Sequence, residues 1–124
     1  VSPYVVSEIT NPEGEVTFSE KTETLGEFFT PSVAQSLNNL LRSNVKNQYG
    51  DSYFPGMYMC GKTGTAEISD AEDAKPNALF VGYSDNDDMP FAIIVVVEET
   101  TSAIKSAVPI ASQVMKEVKN QYVK

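Results

Sequence analysis

Histidine and tryptophan are absent from these 124 residues, and cysteine occurs once. Without imidazole, the side chain that most often serves as a base at neutral pH is missing, and most transition-metal sites go with it. The lone Cys60 excludes an intrachain disulfide but leaves the redox compartment open, because many extracytoplasmic bacterial proteins are cysteine-poor. Positive charge is also scarce: nine Lys and Arg stand against seventeen Asp and Glu, a formal charge of -8. That balance repels phosphate backbones and anionic lipid, and no basic stripe offsets it, so nucleic acid is not expected as a partner. No apolar run approaches the roughly 18 residues of a membrane span. The N-terminus carries no charged segment followed by an apolar one. An initiator Met is missing at Val1, and the expectation is a chain excised from a longer one.

Whatever chemistry remains must use Lys, Ser, Thr, Asp, Glu or backbone groups. A hydrophobic fraction of 41% with 21% charged residues is ordinary for a globular chain, and the length suits one compact domain. VSPYVVSEI, the turn NPEG and EVTFSE together predict a peripheral hairpin. Thr30 followed by Pro31 opens a helix, with Val33, Leu37, Leu40, Leu41 and Val45 on one face and an end near Asn47, before Gly50. Residues 57–65 and 77–83 read as strands, and so does 91–98, whose unbroken run Ala92 to Val97 predicts a strand buried on both faces. A terminal helix from Ser102 to Tyr122 carries the stripe Ala103, Ala107, Ile110, Ala111, Val114, Met115 and Val118. The fold class is α+β: three core strands in an antiparallel sheet, an N-terminal hairpin and packed helices. The strand FAIIVVV has only NALFVGY as an obvious neighbour, so its other edge is expected to recruit a partner, with self-association through Phe91 to Val97 as one outcome.

The stretch MYMCGKTGTAE supports two incompatible motifs. Counted back to Gly56, it matches the phosphate-cradling pattern G-x-x-x-x-G-K-T, which requires a glycine-rich loop between a buried strand and a helix. Here the intervening residues are Met57, Tyr58, Met59 and Cys60, bulky and strand-like, and GTAEIS follows where a helix should begin. Counted forward, it reads Lys62-Thr63-Gly64-Thr65 on a strand. That sequence borders the active site of serine enzymes that acylate on penicillin or on peptidoglycan stems. An extended ligand can lie antiparallel to such an edge and take main-chain hydrogen bonds, and Gly64 presents no side chain to block it. Lys62 supplies a fixed positive charge. The hydroxyls of Thr63 and Thr65 can bind a carboxylate, and the N–H of Thr65 can face a developing oxyanion.

GKTGTAE, NALFVGYSDNDDMPFAIIVVVEE and AVPIASQVMKEV together resemble the C-terminal half of the transpeptidase domain of class B penicillin-binding proteins. The similarity is strong between Gly61 and Val118 and weak over the first hairpin. Phe80, Gly82 and Tyr83 match a structural signature of that family. The resemblance implies an incomplete β-lactamase/transpeptidase-like fold over residues 1–124, with Lys62, Thr63, Gly64 and Thr65 at functional positions. It also implies acyl transfer from a D-alanyl-D-alanine stem peptide through a serine ester, with β-lactams as acylating inhibitors and no cofactor. The implied partners are the stem peptide or β-lactam and the remainder of the transpeptidase domain. The implied location is the extracytoplasmic face of a bacterial membrane to which the parent is anchored.

The family's S-x-x-K and S-x-N motifs precede K-T-G. Ser43 to Lys46, Ser102 to Lys105, Ser36 to Asn38 and Ser84 to Asn86 match those patterns, but patterns this short recur by chance. Ser43 ends a helix, Ser84 opens a hairpin tip and Ser102 suits a helix cap. The acylating serine is therefore expected outside the chain, and the chain alone is expected to be inactive. The alternative is a non-catalytic binding module that captures a partner strand on an exposed sheet edge. Lys62 could be only a solvated strand lysine. Cys60 is expected to be a small buried residue, and the residues from Phe54 to Met59 to serve packing. Asp70, Glu72 and Asp73 lack the spaced ligands of a calcium loop and read as a solvated turn.

Overall fold

The computed structural model describes residues 2–67, 74–100 and 102–122, so the acidic turn around Asp70, Glu72 and Asp73 lies outside the described residues. The chain divides into two compact units, residues 1–33 and 34–124. In the first, β1 (Glu8–Thr10) pairs antiparallel with β2 (Val16–Ser19). Asn11 closes the turn, its side-chain oxygen accepting the Glu15 N–H at 2.8 Å, and Gly14 takes the φ of 86° that such a turn requires. The expected hairpin is present but shorter than the apolar pattern suggested. Val5 and Val6 stay exposed and outside the ladder.

Helix α1 (Pro31–Asn44) starts as its sequence dictates, with Thr30 Oγ1 accepting the Val33 N–H at 3.5 Å. It ends at Asn44, and residues 45–49 widen into one π-helical turn that closes when Gly50 N–H bonds to Val45 O at 2.9 Å. Gly50, at φ 98°, then turns the chain into a short 3-10 turn, Asp51–Tyr53. The predicted apolar stripe packs only at its end: Val45, just after α1, is fully buried in the core and Leu41 is half-buried, whereas Val33, Leu37 and Leu40 are exposed. Along α1 itself, polar side chains reach the rest of the unit. Asn38 accepts the Tyr83 hydroxyl at 2.6 Å and donates to Asp85 at 2.8 Å, while Arg42 donates to Met59 O at 3.2 Å and to Asp51 at 2.7 Å.

The sheet has the order β3-β4-β5, from β3 (Met59–Ala66), β4 (Asn77–Ser84) and β5 (Ala92–Val97), antiparallel throughout. The central strand is β4, so β5 is an edge, and its burial differs from the expectation. Ile93, Val95 and Val97 pack against the core, whereas Ile94 is 68% and Val96 52% exposed. Side chains alternate across a strand, and α2 covers only one face of this one. An unbroken apolar run therefore does not require burial on both sides. Opposite residues share a face, so Leu79, Val81, Ile94 and Val96 form an apolar surface on the side away from α2.

Helix α2 (Ala107–Tyr122) begins later than the sequence suggested, after turns in which Ser102 Oγ accepts the Lys105 N–H at 3.4 Å. Its packed stripe is Ala107, Val108, Ala111, Ser112 and Met115, with Ile110 and Val114 left outside. At about 100° per residue, Val114 and Ile110 lie roughly 100° and 140° from a face centred on Met115, beyond its edge. Phe54, Met57 and Met59 are buried, as expected of packing residues, in one core cluster with Phe80, on whose ring Phe54 stacks.

Phe80 fits because two glycines make room for its ring. A Cβ on Gly61 would lie 2.8 Å from Phe80 Cζ, and one on Gly82 would lie 2.9 Å from it, each also 2.8 Å from a backbone oxygen. Cys60 is fully buried and donates toward Asn38 Oδ1 at 3.3 Å. Burial, reinforced by the nearby Asp85, pushes its thiol pKa up. Gly82→Ala is expected to cost about 1–3 kcal/mol through overpacking, measured as a shift in the urea midpoint at constant m. Cys60 is expected to resist a thiol reagent at pH 8 in the folded chain and to react once the chain is unfolded.

Candidate functional site

The segment that matched the phosphate-cradling pattern is not a loop before a helix. Met57 and Met59 are buried side chains, and the chain runs from Met59 straight into β3. The Lys62-Thr63-Gly64-Thr65 sequence lies on the free edge of the sheet, with Lys62, Gly64 and Thr65 exposed and Thr63 half-buried.

Along an antiparallel strand, a residue's N–H and C=O point together to one side, and the side alternates. Gly61 O accepts from Asn44 Nδ2 at 2.8 Å, Met59 O accepts from Arg42, and Thr63 N–H donates to Tyr49 OH at 2.9 Å. The odd-numbered residues of β3 therefore turn their backbone groups away from β4, and Thr65 N–H and C=O follow the same alternation. Lys62 Nζ donates to Thr63 O at 2.5 Å. Several outward groups up to Thr63 are thus already taken, and Thr65 is the first residue of the K-T-G-T sequence with both outward groups unclaimed among the described residues.

Asn44 and Tyr49 were invisible as site residues in the sequence, where they fell at the end of a helix. The π-helical turn explains their role. With about five residues between hydrogen-bonded groups, it brings Asn44 Nδ2 to Tyr49 OH at 2.8 Å and aims both at β3. The Tyr49 ring stands edge-on to Phe80 at 6.0 Å, so the same core residue that sits between the glycines also seats the tyrosine. Tyr49 OH and Thr63 Oγ1 are 2.9 Å apart.

Gly64 differs from the two packed glycines. A Cβ there would meet only Leu79 Cβ at 3.7 Å, an ordinary contact. Folding therefore does not demand glycine at this position. The serine-containing patterns are occupied with structural work: Ser84 Oγ donates to Met57 O at 2.7 Å, Ser43 Oγ accepts from Asn47 at 2.9 Å, and Asn38 ties α1 to β4. The described residues contain no metal-binding cluster and no helix long and apolar enough to cross a membrane.

The family model described as the penicillin-binding protein transpeptidase domain matches residues 1–116. Among solved structures, the chain is similar to the D,D-transpeptidase domain of a peptidoglycan glycosyltransferase from Eggerthella lenta, with 27% identity and a TM-score of 0.79 over 96% of this chain and 27% of that one. It also resembles penicillin-binding protein A from M. tuberculosis in its ceftriaxone acyl-enzyme complex, with 22% identity and a TM-score of 0.82 over 98% of this chain and 28% of that one. A second structure of that protein matches at 25% identity and a TM-score of 0.74, over 94% of this chain and 27% of that one. A comparison with curated proteins gives no match. The chain spans about a quarter of the length of these solved structures. The match over nearly the whole sequence, on a sheet whose free edge carries Lys62 to Thr65, places the chain in the penicillin-binding protein transpeptidase family.

Proposed function

We propose that this chain is the C-terminal portion of a D,D-transpeptidase domain of class B type and supplies one wall of its active site. The observation that carries the reading is the free edge of β3, where Lys62, Gly64 and Thr65 are exposed and Thr65 N–H points away from β4. An extended stem peptide or a β-lactam would align along that edge, with Thr65 N–H polarising the carbonyl under attack as negative charge develops on its oxygen. Lys62 contributes positive charge beside it, and Thr63 and Thr65 offer hydroxyls to the ligand's carboxylate. Gly64 leaves the approach open. The reaction is acyl transfer through a serine ester. Its nucleophile comes from another part of the domain, and the chemistry takes place on the extracytoplasmic side of the membrane.

Two exposed apolar surfaces support an additional body of protein around this one: Leu37 and Leu40 on α1, and Val81, Ile94 and Val96 beside the half-buried Leu79 on the sheet. In this reading the remainder of the transpeptidase domain covers them, and the outer edge of β5 takes a further strand. The isolated chain would then associate with itself through Phe91 to Val97. Sedimentation at high concentration is expected to show self-association, and a strictly monomeric profile would contradict it.

Covalent catalysis requires a nucleophile and an activating base. Incubation of the chain alone with a fluorescent penicillin is therefore expected to leave no covalent adduct, and a stable adduct would overturn the fragment reading. Within a complete transpeptidase carrying this segment, Gly64→Ala is expected to leave the thermal midpoint within a degree or two, since the added Cβ meets only an ordinary contact. The same substitution is expected to slow acylation by about tenfold or more, because it obstructs the edge. Equal acylation rates would show that no ligand lies against Gly64.

A further inference from the structure

The oxygen of Tyr49 makes more hydrogen bonds than a packing tyrosine needs, and counting its protons gives a direction. Thr63 N–H donates to it at 2.9 Å and Asn44 Nδ2 donates to it at 2.8 Å. Neither of those groups can accept in return, since a backbone N–H and an amide NH2 are donors only. The phenolic proton is left with one partner, Thr63 Oγ1, at 2.9 Å. Thr63 Oγ1 therefore accepts from Tyr49, and the threonine's own hydroxyl proton must point elsewhere. That hydroxyl has no other hydrogen-bond partner among the described residues.

We propose that Tyr49 is a positioning residue that holds the Thr63 hydroxyl as an obligate donor for the carboxylate of a ligand lying on the β3 edge. This inference rests on the reading of that edge as the ligand wall and adds the element that sets its polarity. A free threonine hydroxyl rotates and can donate or accept with equal ease. Here the donation from Tyr49 removes the choice, and a hydroxyl that accepts one hydrogen bond becomes a stronger donor in the next. The device favours ligands that end in an anion, which accepts on both oxygens, over a carboxamide, which accepts on only one and carries no charge. It also takes the Thr63 N–H out of strand pairing, so that a ligand meets a hydroxyl donor at Thr63 and a main-chain donor at Thr65.

Two features explain why the tyrosine can be held in place. Asn44 bonds both Tyr49 OH and Gly61 O, at 2.8 Å each, and so ties the π-helical turn to the strand that it serves. The ring is fixed edge-on against Phe80, itself fully buried. Tyr49→Phe keeps that packing and removes only the hydroxyl. Asn44→Leu keeps the hydroxyl but frees an acceptor site on it, so the Thr63 proton can turn inward to Tyr49 and away from a ligand.

The test uses a complete transpeptidase that carries this segment and two probes, N-acetyl-D-alanyl-D-alanine and its C-terminal amide, followed by NMR shifts at the Thr63 and Thr65 amides. The wild-type protein is expected to bind the acid more tightly than the amide. Tyr49→Phe and Asn44→Leu are each expected to weaken the acid about fivefold, the scale of one hydrogen bond, and to weaken the amide less, because its neutral carbonyl is the poorer acceptor. Thr63→Ser should retain the preference for the acid. Thr63→Val should lose it, and adding Tyr49→Phe to Thr63→Val should change nothing further. If the wild type prefers the acid and Tyr49→Phe matches it, the role of Tyr49 is overturned while the edge reading stands. Equal losses for acid and amide would reduce Tyr49 to a structural part and overturn the proposal as well. If neither probe moves the Thr65 amide in the wild type, the edge reading itself fails, and this inference falls with it.

Discussion

A strand at the edge of a sheet must do something with the backbone groups that face outward, and the answer given by β3 organises this molecule. Its outward groups are divided between internal caps and open positions. Arg42 and Asn44 take carbonyls at Met59 and Gly61, Tyr49 takes the amide at Thr63, and Lys62 reaches the Thr63 carbonyl. Each cap satisfies a group that would otherwise invite another strand, so the edge is protected along most of its length. The protection stops at Thr65. In the proposed reading, an edge closed in this way leaves room for a short ligand near its end.

The caps depend in turn on the core. Phe80 sits between Gly61 and Gly82, where a Cβ would come within 3 Å of its ring and of a backbone oxygen, and the ring contacts both Phe54 and Tyr49. Packing between β3 and β4 therefore fixes the seat of the tyrosine that caps β3. The widened turn after α1 is part of the same arrangement. An α-helix continued through residue 49 would place Asn44 and Tyr49 well apart around the helix, whereas the wider turn brings them together on the side facing the sheet. Gly50 at φ 98° then allows the chain to leave. Local backbone geometry, core packing and edge chemistry are in this way parts of a single constraint.

Much of this was legible in the sequence, for identifiable reasons. The three core strands, the cap at Thr30 and the hairpin at Gly14 follow from period, turn chemistry and capping, all of which act over a few residues. The loop and strand readings of Gly56 to Thr65 were separable because Met57, Tyr58 and Met59 do not suit a glycine-rich phosphate loop. The burial of β5 was misjudged because an apolar run reports what a strand can bury, not what its neighbours cover. The face of α1 was obscured for the opposite reason: its contacts to the sheet run through Asn38, Arg42 and Asn44, which a hydrophobic pattern does not register. Tyr49 left no signal at all, since its spacing from Asn44 acquires meaning only in a π-helical turn. Family resemblance located the K-T-G edge, and only coordinates revealed what holds it.

Site-resolved amide hydrogen exchange on the chain separates the capped part of this edge from the open part, because Thr63 and Thr65 turn their amides to the same side of one strand and only the Thr63 amide is capped. The account predicts strong protection at the Thr63 amide, bonded to Tyr49, and exchange close to the unprotected rate at Thr65. Equal exchange at the two amides, or protection at Thr65 without ligand, would contradict it.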